Sequence, residues 1–433
     1  MTSKEEHRNT QNAQSKLLSR SYVMACVANF FFQFARYVIE PILALYIAET
    51  WGSSRTEVGW VLAGYAIATL MIRPFCGYMV DRIDRRRMYL IALLSFSLLF
   101  AGYPIVRIVG LFALLRILHG LSMGVLAVSA NTIVIDISPS DRRGEALGYY
   151  GIMNNFAMAI GPAVGFGLHH LYGYDAVFYF ALLSSMVALI AGNLVQVRIP
   201  RTLTLRSTAS NIIQRDAGKE TTLLSLDRFI LLKGLHAGFN LFLLAIPYGM
   251  IMSYIALYCD ELDLSEGFGP FRGTGLFFLC MAVGIILSRM TSGRYVDRGH
   301  LTEVISIGTV LCSIAVTILS LAGMVQTNEL ILLLMFNTGA FLCGFGYGLI
   351  FPAMNTLFVN LAYHNQRGTA SATYMTTWDI GIGLGMLIGG VMGDHTAYSY
   401  VFASGAAANL LSWFYYERKT RKHYLRNRLE GGE

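Results

Sequence analysis

The chain has 433 residues, 55% hydrophobic and 14% charged, with a mean hydropathy of +0.52, far from the roughly 25% charged residues of soluble domains. Its formal net charge of +7 does not point to nucleic acid: the basic residues sit between apolar runs, as membrane topology requires, rather than along one amphipathic face. Six cysteines, scattered through apolar context without a CxxC pair or metal-ligand spacing, read as small packing residues and imply neither a disulfide framework nor a metal site.

Residues 1–21 form a polar tail carrying Lys4, Arg8, Lys16 and Arg20, without the short apolar core of a cleavable signal peptide. Twelve apolar runs follow, at 22–47, 58–80, 88–106, 110–136, 145–171, 176–197, 229–258, 274–296, 302–324, 330–359, 369–393 and 397–416. Each is long enough, at about 20 residues, to cross about 30 Å of hydrocarbon as a helix. The organisation expected is a six-helix bundle over 22–197, a polar linker over 198–227, a second bundle over 228–416 and a basic tail over 417–433. An even number of spans puts both termini on one side. With that side inside, Arg82, Arg85, Arg86, Arg87, Arg142, Arg143, Arg294, Arg298, Arg367 and the basic tail are cytoplasmic, against Arg55, Arg107 and Arg272 outside.

The chain repeats itself. Arg73, Gly77, Asp81 and Arg82 recur as Arg289, Gly293, Asp297 and Arg298, a shift of 289 − 73 = 297 − 81 = 216. Asn131-Thr132 and Arg143-Gly144 recur as Asn355-Thr356 and Arg367-Gly368, each 224 further on. Matches kept in order along both halves imply a duplicated architecture.

Charges inside a bilayer are costly and mark functional candidates. Arg36 and Glu40, four residues apart, share one face of the first helix with Asn29 and Gln33 on broadly the same side. Glu40 and Arg116 lie at similar depth, so the two helices can bring them together around one site or simply be glued by an Arg–Glu–Arg cluster. The repeat sets Gly120 on Gly344 and Gly124 on Gly348 but Arg116 on Ala340, so packing alone does not call for the charge. Asp379 is an isolated acid near the middle of the eleventh helix, either a proton carrier or a carboxyl hydrogen-bonded to backbone or to Asn155, its repeat counterpart. His236 and Asn240 share a face of the seventh helix with Lys233, where a packing role competes with a titrating one. Tyr37, Tyr65, Tyr248, Tyr254, Tyr258, Tyr347, Tyr374 and Trp378 offer aromatic surfaces with polar edges, suited to amphipathic organic molecules. No phosphate-binding loop, acid-pair hydrolase or Ser/His/Asp constellation is present, which leaves an ion or solute gradient, rather than a cofactor or catalysis, as the source of energy.

Gly77-x-x-x-Asp81-Arg82-x-Asp84-Arg85-Arg86 resembles the signature loop of the major facilitator superfamily, with Asp84 where that family has glycine. Arg116-x-x-x-Gly120-x-x-x-Gly124 resembles its fourth-helix motif. Gly148, Ala157, Gly161-Pro162 and Gly165 resemble the fifth-helix motif of the drug:H⁺ antiporter branch, with Phe166 where a second glycine is usual. The resemblance implies an all-α membrane protein of 12 transmembrane helices in two pseudo-symmetric six-helix halves, in the bacterial inner membrane. By the same resemblance it is a secondary transporter exporting amphipathic small organic molecules against protons by alternating access, needing no cofactor or metal. The first, fourth, seventh and tenth helices then line the cavity. Expected substrate residues are Asn29, Gln33, Arg36, Tyr37, Glu40, Arg116, His236, Asn240, Tyr254 and Trp378; Glu40, Arg116 and Asp379 couple the proton. Gly77, Asp81, Arg82, Arg85, Asp136, Gly161, Pro162 and Gly165 form the conformational gate. A proton-coupled metabolite importer or a lipid flippase on the same fold is the alternative, and a non-transporting membrane sensor a more distant one.

Overall fold

Ser19 starts the first helix: its hydroxyl accepts the Tyr22 N–H at 3.2 Å, supplying one of the acceptors that a helix start lacks. The structure, a computed structural model, describes residues 18–139, 142–197, 230–264, 273–297, 299–324, 328–362 and 367–428. The first arm, α1 (Arg20–Trp51), bends where Pro41 follows Glu40, because proline has no N–H to continue the ladder. α2 (Arg55–Arg82) is followed by a tight turn into α3 (Arg85–Phe100). Asp84 caps α3, accepting the Arg87 N–H at 2.8 Å, which gives a physical reason for an acid where the signature loop has glycine.

After α4 (Val109–Ile137) comes one helical stretch, Arg143–Asn193, interrupted only at Gly173. The φ of 80° there favours glycine and divides the stretch into α5 (143–172) and α6 (174–193). The second half comprises α7 (Leu235–Glu261), α8 (Gly273–Asp297), α9 (Leu301–Ala322), α10 (Glu329–Asn360), α11 (Arg367–His395) and α12 (Tyr398–Tyr415). A π-turn over Tyr416–Thr420 leads into the short α13 (Arg421–Asn427). Arg421 bonds Glu417 at 3.1 Å and Glu303 at 2.8 Å; the Glu417 hydrogen bond above all raises its pKa, and the Glu303 bond pins α13 to the start of α9.

The described residues are thus twelve apolar arms in two sets of six. Seven stretches are long and apolar enough by themselves to cross a membrane, one of them (Ala146–Asn193) holding two arms. The remaining arms are shorter or carry more polar residues, such as the 16-residue α3. The expected linker over 198–227 lies outside the described residues.

Glycines set the helix register identically in the two halves. A Cβ on Gly120 would lie 2.3 Å from the Tyr65 carbonyl oxygen, and one on Gly124 would lie 2.2 Å from Ile72, so α4 touches the backbone of α2. A Cβ on Gly344 would lie 2.0 Å from the Met281 carbonyl oxygen, and one on Gly348 would lie 1.9 Å from Ser288, giving α10 on α8. The contacted positions obey the sequence shifts, with 281 − 65 = 288 − 72 = 216 and 344 − 120 = 348 − 124 = 224. Packing therefore repeats residue for residue. Gly120→Val is expected to overpack this seam by about 1–3 kcal/mol and to lower the detergent melting temperature by several degrees. Gly148→Ala, where the added Cβ meets nothing within 4 Å, should leave it unchanged or slightly raised, as alanine favours a helix over glycine; equal losses in the two variants would show that the seam is loose.

Candidate functional site

The bend at Pro41 leaves Glu40, 6% exposed, at the end of the first helical segment of α1, and one turn earlier Arg36 reaches it: Nε to Oε2 is 3.2 Å. The close fit of α4 against α2 carries Arg116, 2% exposed, beneath Tyr65, with the guanidinium 4.3 Å from the ring centre. Arg36 lies 5.8 Å from the same ring and 4.8 Å from Tyr37. Tyr65 therefore stands between the two cations, its face attractive to both. Arg116 makes no ion pair with Glu40. It donates to the Tyr103 hydroxyl at 3.4 Å, and that hydroxyl also bonds His119 Nδ1 at 2.9 Å. Nε and Nη2 of Arg116 have no hydrogen-bond partner among the described residues. Tyr103 and His119 were not singled out by the sequence; the one signal for His119 is its place one turn beyond Arg116.

The second charge pair joins the halves. Arg73 on α2 hydrogen-bonds and ion-pairs with Asp379 on α11. The acid is thus held neither by Asn155 nor by backbone, and Arg73, noticed in the sequence only as a repeat marker, is its partner. Tyr374, one turn before Trp378 on α11, is within electrostatic reach of Asp379 and Tyr37, and Tyr248 on α7 is within reach of Arg36, Glu40 and Tyr37. Trp378 packs on Tyr248 and Phe351 with ring centres 4.9 and 4.7 Å apart. The second half thus faces the Arg36–Glu40 pair with an aromatic wall.

Other expected substrate residues point elsewhere. His236 bonds the Tyr415 hydroxyl at 2.6 Å and Asn240 bonds Ser412 at 2.7 Å, tying α7 to α12 inside the second half. Asn29 donates to the Tyr150 carbonyl at 2.7 Å, tying α1 to α5. Gln33 keeps a buried Oε1 without a partner among the described residues. Tyr254 donates to the Met386 carbonyl at 2.6 Å, and its hydroxyl would lie 2.9 Å from a Cβ on Gly59, which places it at the seam of α2 with α11.

Of the expected gate residues, Arg85 and Asp136 form an ion pair at 2.8 Å between the start of α3 and the end of α4. Gly161 and Gly165 let α5 meet α1: added Cβ atoms would lie 2.6 Å from Tyr37 and 2.1 Å from the Val38 carbonyl oxygen. Pro162 is accommodated inside that helix. Gly77, Asp81 and Arg82 lie on helical backbone in α2, but their side chains are outside the described residues. At the opposite end of α2, Asp394 of α11 accepts the Arg55 and Thr56 N–H groups at 2.7 and 2.9 Å, capping a helix of the other half. Arg55 Nη1 donates to the Gly393 carbonyl at 2.5 Å, Nη2 lies 3.5 Å from Glu261, and the guanidinium stacks 4.4 Å from Tyr398.

Two six-helix halves repeated in register, with charge pairs both within and between them, make a polytopic membrane protein, whose family and relatives are transporters rather than enzymes. The chain matches the Major Facilitator Superfamily over residues 25–385 and again over 304–431, and it belongs to that family. It is 25% identical over 356 residues to Multidrug resistance protein 2 of Bacillus subtilis (strain 168), covering 81% of this chain and 83% of that one. Quinolone resistance protein NorA of Staphylococcus aureus (strain MRSA252) is 23% identical over 359 residues, covering 82% and 86%. A crystal structure of the peptide transporter POT in complex with sulfate superposes with a TM-score of 0.73 at 13% identity, covering 96% of this chain and 98% of that one, which is a likeness of fold.

The Arg73–Asp379 pair makes a quantitative expectation. Arg73→Gln or Asp379→Asn alone strands a half-buried charge and should destabilise the protein by about 1–3 kcal/mol, while the double variant recovers most of that loss. Thermal unfolding of the four proteins in detergent measures it; losses that simply add would show that the two groups are not coupled.

Proposed function

We propose that the chain is a proton-coupled exporter of amphipathic small organic molecules, working by alternating access of its two halves, as transporters built of repeats do. The observation that carries the reading is Glu40: a buried carboxylate held by Arg36 beside a second buried cation, Arg116, and facing the aromatic wall of the other half. Efflux is supported by the relatives, which are a multidrug resistance protein and a quinolone resistance protein.

In this reading both termini are cytoplasmic, the halves are 22–197 and 228–416 joined by a cytoplasmic linker at 198–227, and the membrane is a bacterial inner membrane. Ionised Glu40 occupies Arg36. A proton arriving at Glu40 neutralises the carboxylate and releases Arg36 and the rings of Tyr37 and Tyr65 from that pairing. A basic substrate group held by ionised Glu40 in place of Arg36 is lost when that proton arrives, so proton and substrate compete for one carboxylate, and such competition is a positive, unfavourable coupling free energy, the requirement for exchange. Arg116, beneath Tyr65, responds with Arg36 to the ionisation of Glu40 and contacts polar or anionic substrate groups, and Asp379, held by Arg73, is the second acid of the coupling. Gly77, Asp81 and Arg82, with Arg85 and Asp136, close the cytoplasmic side; the Gly161-Pro162 and Gly165 contact on Tyr37 and Val38 lets α5 move with α1. The contacts of Asp394, Glu261 and Tyr398 with Arg55 close the opposite side.

The test is proton release from proteoliposomes driven by a norfloxacin gradient. Wild type is expected to release protons and Glu40→Gln to lose coupling by at least about tenfold, with Asp379→Asn weaker than wild type. Full coupling in Glu40→Gln would overturn the acid assignment. Uptake with the proton, rather than against it, would favour the importer.

A further inference from the structure

Arg73 and Arg289 occupy the same position in the two halves, 216 residues apart, on α2 and α8. Asp379, which neutralises Arg73, corresponds through the 224 shift to Asn155 on α5. The helix pairs correspond as well: α2 meets α11 through Arg73 and Asp379, and α5 meets α8, where Phe166 and Phe278 stack with ring centres 5.6 Å apart. The duplication therefore sets a cation in each of two equivalent interfaces and an acid in only one. Arg289 is half-buried, and its Nε and Nη2 atoms are buried without a hydrogen-bond partner among the described residues. No described carboxylate forms an ion pair with it.

An arginine kept charged and unpaired in such a place costs several kcal/mol unless something supplies the missing charge. Water satisfies a donor but does not replace a counter-ion. Arg289 also borders the central region: Tyr374 of α11 is within electrostatic reach of Arg289, Asp379 and Tyr37 together. A planar fork with two free donors matches a carboxylate or a phosph(on)ate oxygen pair.

We propose that Arg289 is an anion-binding residue of the second half, and that a carboxylate or phosph(on)ate group of a bound molecule occupies the place which Asp379 fills in the first. This rests on the reading of the chain as a transporter of small molecules and narrows it to substrates bearing one such group, with the aromatic wall of Tyr248 and Trp378 for the remainder. A phospholipid headgroup shares this chemistry, so the source of the anion is part of the test.

The experiment is binding, not transport, on the full chain in a maltoside detergent, which carries no phosphate, followed by thermal unfolding at constant ionic strength with benzoate, phenylphosphonate or chloride. Wild type is expected to be stabilised saturably by benzoate or phenylphosphonate but not by chloride. Arg289→Gln should weaken that binding by about tenfold or more, Arg289→Lys should keep part of it as a point charge, and the exposed Arg418→Gln should match wild type. Nanodiscs containing phosphatidylglycerol identify the source: Arg289-dependent stabilisation by that lipid, with loss of the benzoate response, assigns the site to a headgroup. No saturable binding of any of these anions, or equal binding by wild type and Arg289→Gln, overturns the proposal. A chain that binds an anion through Arg289 yet releases no protons in liposomes keeps this site and loses the exchange mechanism.

Discussion

An ionised side chain within hydrocarbon needs a counter-charge or another electron-rich partner, and that requirement fixes which side chains of this chain are held together once its helices meet. Arg73 and Asp379 satisfy it across the two halves. Neither half is electrically complete alone at that position, so the pair acts as a joint that packing of apolar surfaces could not specify; lipid is as apolar as leucine and gives helices little reason to choose one neighbour over another. Arg36 and Glu40 satisfy the same requirement within one helix, and Arg85 and Asp136 do so at the ends of two adjoining ones. Arg116 is the different case: it receives a ring face and a phenolic oxygen instead of a carboxylate. Its Nε and Nη2 atoms are buried without a hydrogen-bond partner among the described residues.

Backbone approach supplies the frame on which these charges are held. The glycines of α4 and α10 bring whole helices against α2 and α8 at matching positions of the duplication, so Arg73 and Arg289 are delivered to equivalent interfaces without any signal from the charges themselves. The frame is symmetric and the charges are not. Where the first interface has an acid the second has Asn155, and where α4 carries Arg116 the matching position of α10 is Ala340. Function in a duplicated protein resides in such differences, because the shared residues are already explained by packing.

Much of this was legible because it is local. Four-residue spacing paired Arg36 with Glu40, apolar length marked the arms, and the fixed shifts of 216 and 224 predicted a register that the glycine contacts obey. The Arg73–Asp379 contact was not legible, since its members are 306 residues apart and nothing in either helix names the other. Asp394 was hidden for a related reason: the groups it caps belong to a helix start 338 and 339 residues away. His236 and Asn240 show a third limit. A polar face on a helix in a bundle says that a partner exists but not on which side, and here the partners are Tyr415 and Ser412 of α12 rather than a central ligand. Asp84 looked like a departure from a motif until its capping of α3 gave the acid a local task.

The contacts between the halves also differ in what their separation costs. Arg55 and Asp394 lie where solvent reaches them, with Arg55 at 36% side-chain exposure, so each hydrogen bond broken there is largely replaced by water and costs about 1 kcal/mol. Arg73 and Asp379 are only 18% and 21% exposed, so parting them strands two ions unless water or another charge enters as they move. Under the proposed cycle the Asp394 seam is therefore the cheap one to open. The buried pair instead constrains the path of the motion, favouring a rocking of α2 against α11 about that joint over an outright separation. The matching interface of α5 and α8 has no such joint in the protein itself. An anion at Arg289 would supply one, and the asymmetry of the two interfaces would then be set by whether the site is filled.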